Sequence, residues 1–153
     1  MADGARIGID WGKARIGVAA SNRGTSLAYP VETVPAGATE LARLTQLVAE
    51  HGADVVYVGL PLTLSGERSL SAAYVLERAA RLAAAVAPVQ VRCVDERMST
   101  VSASRSLGVA GRSTRRQRGV IDQAAAVEIL TRALEAEERR GAPAGEPVME
   151  EER

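Results

Sequence analysis

Through residues 6–18 apolar and polar positions alternate on either side of a glycine-marked break at Gly12-Lys13, the pattern of two short strands joined by a tight turn. On the first strand Ile7 and Ile9 point one way and Gly8 and Asp10 the other. A third short strand follows over 29–34, with Thr25-Ser26 closing the second hairpin, and Pro35-Ala36-Gly37 breaks the pattern. Leu41, Leu44, Leu47 and Val48 recur at helical spacing, which predicts a helix from a Thr39 cap to His51, ended by Gly52. Val55-Val56-Tyr57-Val58 is apolar throughout and suits a strand buried on both faces. After a loop at 62–68 the spacing predicts a helix over 71–87, with Val75, Leu76, Ala79, Leu82, Ala83 and Val86 inward, then a strand over 89–94. Ser99 or Thr100 caps a short helix ending near Gly108, and an arginine-rich loop spans 109–118. The last helix is predicted over 120–139, with Ile121, Ala124, Val127, Ile129, Leu130 and Leu134 as its apolar set. Three strands followed by strand–helix alternation imply an α/β fold: a five-stranded mixed sheet, made of a three-strand antiparallel meander plus parallel strands, with helices on both faces. The expected organisation is one domain over 1–140 and a disordered acidic tail over 141–153, beginning at Gly141-Ala142-Pro143.

Composition narrows the class. At 153 residues the chain can build a real core, and with no Phe and 3% aromatics Val, Leu, Ile and Ala must fill it. No run of eighteen apolar residues is present, so no membrane helix is expected, and the first residues do not read as a signal peptide. Cys93 is the only cysteine, which rules out a disulfide within the chain and fits a cytoplasmic setting. Strand alternation places Cys93 on the face opposite Glu96, as a buried thiol; a disulfide between two chains is the competing expectation. The formal net charge is zero, but its distribution is uneven: six arginines and no acid lie from Arg97 to Ile121, and seven glutamates against three arginines from Glu135 to Arg153. Lys13 is the only lysine.

Three carboxylates stand where such a sheet can bring them together: Asp10 at the end of the first strand, Glu96 just past the fifth, and Asp122 in the first turn of the last helix. Sites in mixed α/β sheets collect at the carboxyl ends of strands, and converging acids repel unless a cation neutralises them. Hard oxygen ligands suit Mg²⁺ or Mn²⁺, and the chemistry such a site supports is metal-assisted phosphodiester hydrolysis. Each acid alone also has a bland role: an ion pair to Lys13 or Arg15 for Asp10, an ion-paired strand end for Asp95-Glu96-Arg97, and dipole compensation for Asp122. Lys13, Arg15 and Arg97 flank the acids as candidate phosphate contacts. Arg112, Arg115, Arg116 and Arg118 sit in the loop before the last helix, where they could grip phosphates on either side of a scissile bond. Trp11 could stack on a base or fill a contact beneath the last helix.

Four segments in order and spacing resemble the YqgF (RuvX) family of Holliday-junction-resolvase-like proteins, also described as candidate pre-16S rRNA nucleases. They are Gly8-Ile9-Asp10-Trp11-Gly12 with Arg15-Ile16-Gly17-Val18-Ala19; Val58-Gly59-Leu60-Pro61-Leu62 with Gly66; Asp95-Glu96-Arg97 with Ser99-Thr100; and Ile121-Asp122-Gln123-Ala124-Ala125-Ala126. The resemblance covers roughly residues 5–138. It implies an RNase H-like fold, a divalent-metal site held by the catalytic acids Asp10, Glu96 and Asp122, and a bacterial cytoplasmic nuclease acting on structured RNA or branched DNA as a monomer or homodimer. Gly66 and Ser69 border the site by the same resemblance. Two positions depart from the pattern. Asn22 stands where the family usually has an aspartate, and Ala125 and Ala126 stand where better-characterised junction resolvases carry a further carboxylate. The implied function is maturation of a ribosomal RNA precursor. The alternatives are a junction-resolving DNA endonuclease, a non-cutting assembly factor, and an actin-like or sugar-kinase ATPase suggested by Asp10-Trp11-Gly12.

Overall fold

The computed structural model describes residues 4–61, 70–95 and 114–148, without the side chains of 114–120. The elements run β1 (Ala5–Trp11), β2 (Arg15–Ser21), β3 (Ala28–Pro35), α1 (Glu40–Glu50), β4 (Ala53–Leu60), α2 (Leu70–Val86), β5 (Gln90–Asp95), α3 (Thr114–Arg140) and β6 (Glu146–Pro147). The sheet has the order β3-β2-β1-β4-β5-β6. The antiparallel meander β1–β2–β3 and the parallel β1–β4–β5 block are as the pattern predicts. Among the described residues the sheet has six strands rather than five, because β6 pairs antiparallel with β5.

Period-two alternation divides the core. Ile7, Ile9 and Trp11 of β1, Ile16, Val18 and Ala20 of β2, Val56 and Val58 of β4, and Val91 and Cys93 of β5 form one cluster with Leu44, Leu47, Val75, Ala79 and Leu82 of α1 and α2. The opposite face is Ala19, Val55 and Tyr57, packed on Ala126, Leu130, Ala133 and Leu134 of α3. Cys93 is buried on the α1/α2 face, and Val94 packs on the α3 face. Trp11 is buried as well, on the face away from α3, and its Nε1 donates to Glu40 Oε2 at 3.3 Å. It is therefore part of the core beneath α1 and α2, not a base-stacking platform.

The C-terminal segment departs from expectation. Residues 141–148, predicted as the start of a disordered tail, run back along β5. Ala144 is buried, its N–H donates to the Tyr57 hydroxyl at 3.0 Å, and Val148 N–H donates to Val91 O at 2.8 Å. Arg92 donates to the carbonyls of Ala144 at 2.6 Å and Gly145 at 2.9 Å. Gly145 has φ +66°, and a Cβ there would meet Cys93 O at 2.1 Å, so only glycine lets the strap lie this close. Polar composition marks the segment as solvated; the hydrogen-bond partners that hold it come from residues 50 and more positions upstream.

The last helix also starts earlier than predicted, at Thr114. Arginine and glutamine are good helix formers that need no apolar stripe, so a helix can run through residues the hydrophobic pattern leaves blank. Asp122 consequently lies in the third turn of α3, not the first, and dipole compensation is not its role. Arg115, Arg116 and Arg118 belong to the helix and not to a loop, while Arg112 and the short helix expected to end near Gly108 lie outside the described residues.

Candidate active site

Asp10 and Asp122 meet because two strands leave room for a helix. On the α3 face of β1 and β2 the sequence places Gly8, Asp10, Gly17 and Ala19, with Asp10 paired to Gly17 and Gly8 to Ala19. A Cβ at Gly17 would lie 2.0 Å from the carbonyl oxygen of Asp122, and one at Gly8 would lie 2.7 Å from Leu130 Cβ. With hydrogens in place of side chains, α3 settles directly on the strand backbones. Asp122 is thereby held over Gly17, beside the residue across from it, Asp10. Gln123 Nε2 donates to Thr33 Oγ1 at 2.9 Å and fixes the helix over β3 at the same level.

This docking predicts a specific failure. Gly17→Ala should force α3 away from the sheet, cost about 1–3 kcal/mol in stability, and carry Asp122 away from Asp10. Urea unfolding reads the first effect, and a reduced thermal shift on adding Mn²⁺ reads the second. An alanine variant that matches the parent in both would mean the close approach is not what sets the pair.

The two carboxylates have unequal surroundings. Arg15, on the same sheet face, donates from Nε to Asp122 Oδ2 at 2.9 Å. Burial raises the Asp122 pKa, and the hydrogen bond and charge of Arg15 oppose that rise. Asp10 has no such partner: among the described residues no side chain donates to it. Burial, with the nearby Asp122 charge adding to it, pushes the Asp10 carboxyl up to about 6. A half-buried carboxylate to which no described side chain donates, next to a second carboxylate, is a set of hard oxygen ligands that fits a divalent cation. Among the described residues no third His, Cys, Asp or Glu completes a cluster. Glu96 and Arg97 lie outside the described residues, as do Gly66 and Ser69.

A family profile described as RuvX, Holliday junction resolvase, matches residues 4–136. The chain belongs to the RuvX family. Relatives named "Putative pre-16S rRNA nuclease" include those of Cutibacterium acnes, 53% identical over 86% of this chain and 82% of the relative, and of Nocardioides sp., 54% identical over 98% and 99%. That of Streptomyces coelicolor is 50% identical over 97% of this chain and 90% of its own. Thermus thermophilus RuvC in complex with a Holliday junction substrate superposes with a TM-score of 0.56 at 19% identity, covering 94% of this chain and 98% of that one. At that identity the likeness shows the fold, which is RNase H-like.

Within this RuvX-family site the sequence-predicted residues separate. Asp10 and Asp122 come together. Arg15 joins them, but as the partner of Asp122 and not of Asp10. Lys13 turns to the other layer, where its Nζ lies 5.6 Å from the centre of the Tyr74 ring. Both departures have one cause: Lys13 lies in the turn between β1 and β2, outside the strand period that sets Arg15 on the α3 face, and spacing to the nearest acid does not reveal this. At the two positions that depart from the family pattern, Asn22 closes the β2–β3 turn by accepting from Thr25 N at 3.1 Å and from the Tyr29 hydroxyl at 3.0 Å, while Ala125 and Ala126 are buried. Sequence reasoning missed the Gln123–Thr33 bond and the Arg15–Asp122 pair, which spans 107 positions; no local signal marks either pairing.

Proposed function

We propose that the chain is a divalent-metal-dependent endonuclease that hydrolyses phosphodiester bonds in structured RNA, maturing the 5′ end of a 16S rRNA precursor in the cytoplasm. The observation that carries this reading is the Asp10–Asp122 pair, a half-buried carboxylate to which no described side chain donates and its neighbour, in a chain of the RuvX family. The names of relatives at about half identity support the choice of substrate. Asp10 and Asp122, with Glu96, would hold the ion. Bound there, Mg²⁺ or Mn²⁺ supplies Lewis-acid stabilisation of the charge developing on the scissile phosphate. Arg15 orients Asp122 and offers its remaining N–H groups to a phosphate oxygen. Arg97, Arg112, Arg115, Arg116 and Arg118 neutralise flanking phosphates without reading sequence.

Resolution of branched DNA is the second reading, favoured by the family description and the RuvC-like fold. Purified protein incubated with labelled precursor RNA and with four-way DNA, each with Mn²⁺ and with chelator, separates the two. The expected result is cutting of the RNA at a discrete site, lost in chelator. Preferential cutting of the junction would move the substrate to DNA, and binding without cutting of either would leave an assembly factor. In the same assay, alanine at Arg115, Arg116 and Arg118 together should lower the log–log salt slope of RNA binding by up to about two.

A further inference from the structure

Lys13, Tyr74 and Arg78 lie on the α1/α2 side of the strand edge that carries Asp10. Lys13 is exposed in the β1–β2 turn, three residues beyond Asp10, and Tyr74 and Arg78 are one turn apart on α2. Both cations converge on one ring: Lys13 Nζ is 5.6 Å, and Arg78 Cζ 4.9 Å, from the Tyr74 centroid. The ring's negative face eases their approach but carries no formal charge. Among the described residues no carboxylate pairs with Lys13. Arg78 reaches Glu40 Oε2 at 3.6 Å through Nη1, while its Nε is buried with no hydrogen-bond partner. Glu40 is already occupied: it is buried and accepts from Trp11 Nε1 at 3.3 Å and from Gly37 N at 3.0 Å. Among the described residues, Lys13, Arg78 and Glu40 together therefore keep one unbalanced positive charge at the surface.

We infer that Lys13, Tyr74 and Arg78 form a phosphate subsite that holds the substrate's sugar–phosphate backbone on the far side of the β1–β2 turn from the acids. The inference rests on the nuclease reading above and extends it. One phosphodiester group carries the single negative charge that the cluster lacks. The turn links Asp10 to Lys13 over at most about 11 Å of backbone, which keeps both within reach of one substrate strand; because Lys13 turns to the α1/α2 layer and Asp10 to the α3 layer, the phosphate gripped is a neighbour of the scissile one. The chain passing over Trp11 and Gly12 then crosses from the α3 layer to the α1/α2 layer. Backbone contact of this kind positions the substrate and is blind to base identity.

The test measures binding of labelled precursor RNA and of four-way DNA, in chelator, at several salt concentrations. Lys13→Ala should lower the log–log salt slope by about 0.7–0.9, the value for one phosphate, and weaken binding at low salt about tenfold whatever the sequence. The polymer on which the slope falls identifies the source of the phosphate. Arg78→Lys keeps the charge and should retain most of the slope, whereas Lys13→Ala combined with Arg78→Ala should lose no more than one phosphate's worth. The stabilisation by Mn²⁺ should persist in Lys13→Ala. Because Lys13 is exposed and makes no ion pair among the described residues, loss of folding does not confound the result. An unchanged slope in Lys13→Ala, in a protein whose wild type binds and cuts, overturns the subsite alone. A wild type that binds neither polymer overturns the nuclease reading with it.

Discussion

Asp10→Asn should abolish metal-dependent cleavage and leave the chelated protein more stable than the wild type. The amide keeps the shape of the side chain and removes the charge that would hold a divalent ion. Charge stabilisation by such an ion amounts to several kcal/mol, so the loss in rate should be at least about a thousandfold. The stability effect runs the other way. Burial and the neighbouring Asp122 push the Asp10 carboxyl up to about 6 from an ordinary 3.8. An acid whose folded-state pKa is raised binds its proton more tightly in the folded chain. The fold therefore loses stability as the pH rises from about 4 to about 6, and the loss is complete above that. At pH 8 the ionised carboxylate costs up to about 3 kcal/mol, of which Asp10→Asn should recover about 1–3. Added Mn²⁺ should stabilise the wild type, by about 2.7 kcal/mol at a hundredfold excess over Kd, and leave the variant unmoved. Unfolding in urea at pH 4 and pH 8, with chelator and with Mn²⁺, reads all three effects beside the nuclease assay. Undiminished metal-dependent cutting by the variant would end the proposed chemistry. A variant less stable than the wild type at pH 8 would mean that Asp10 has a structural partner.

The second large effect lies at the opposite end of the sheet. Arg6 is 1% exposed. Its Nε donates to Glu137 Oε2 at 2.8 Å and its Nη2 to Glu137 Oε1 at 3.4 Å, and its Nη1 reaches only the carbonyls of Gly4 and Ala5. The Tyr57 hydroxyl donates to the same carboxylate, and the combined influence of burial and that bond pushes the phenol up to about 12. Glu137→Ala should therefore cost about 3–5 kcal/mol, because it leaves a buried guanidinium unpaired. It also removes the acceptor that orients Tyr57 toward Ala144 N–H, so the strap over β5 should become open to protease in the variant. Glu138→Ala, on the exposed side of the helix, should stay within about 0.5 kcal/mol of the parent. A loss below about 1 kcal/mol for Glu137→Ala would show that water reaches Arg6 and that the pair is not a buried one.

Much of this molecule is legible in its residues. Alternation in β1 separates Ile7 and Ile9 from Gly8 and Asp10 before any fold is known, and the structure keeps that separation; Trp11, expected against a base or beneath the last helix, joins Ile7 and Ile9 instead. The continuous apolar run of β4 marks a central strand, and Leu44, Leu47, Val75, Ala79 and Leu82 face the core as their spacing requires. These are short-range consequences of strand and helix periods, which is why local pattern suffices for them. Asp10 and Asp122 are not singled out in this way: each alone has a plain structural role, and it is the family resemblance of the segments around them that marks both.

What the pattern could not decide is every pairing made across the chain. Arg15 chooses Asp122 over the nearer Asp10, and Lys13 chooses the Tyr74 ring, because the hairpin directs one cation to each sheet face and only the packed layers determine what waits there. Helix α3 starts in a polar, arginine-rich stretch that has no apolar period to announce it. The strap at 144–148 is held by Tyr57 and Arg92, donors and acceptors that its own composition does not reveal. Side-chain period is a property of a dozen neighbouring residues; the partner of a charge is a property of whatever the tertiary fold brings within 3 or 4 Å of it.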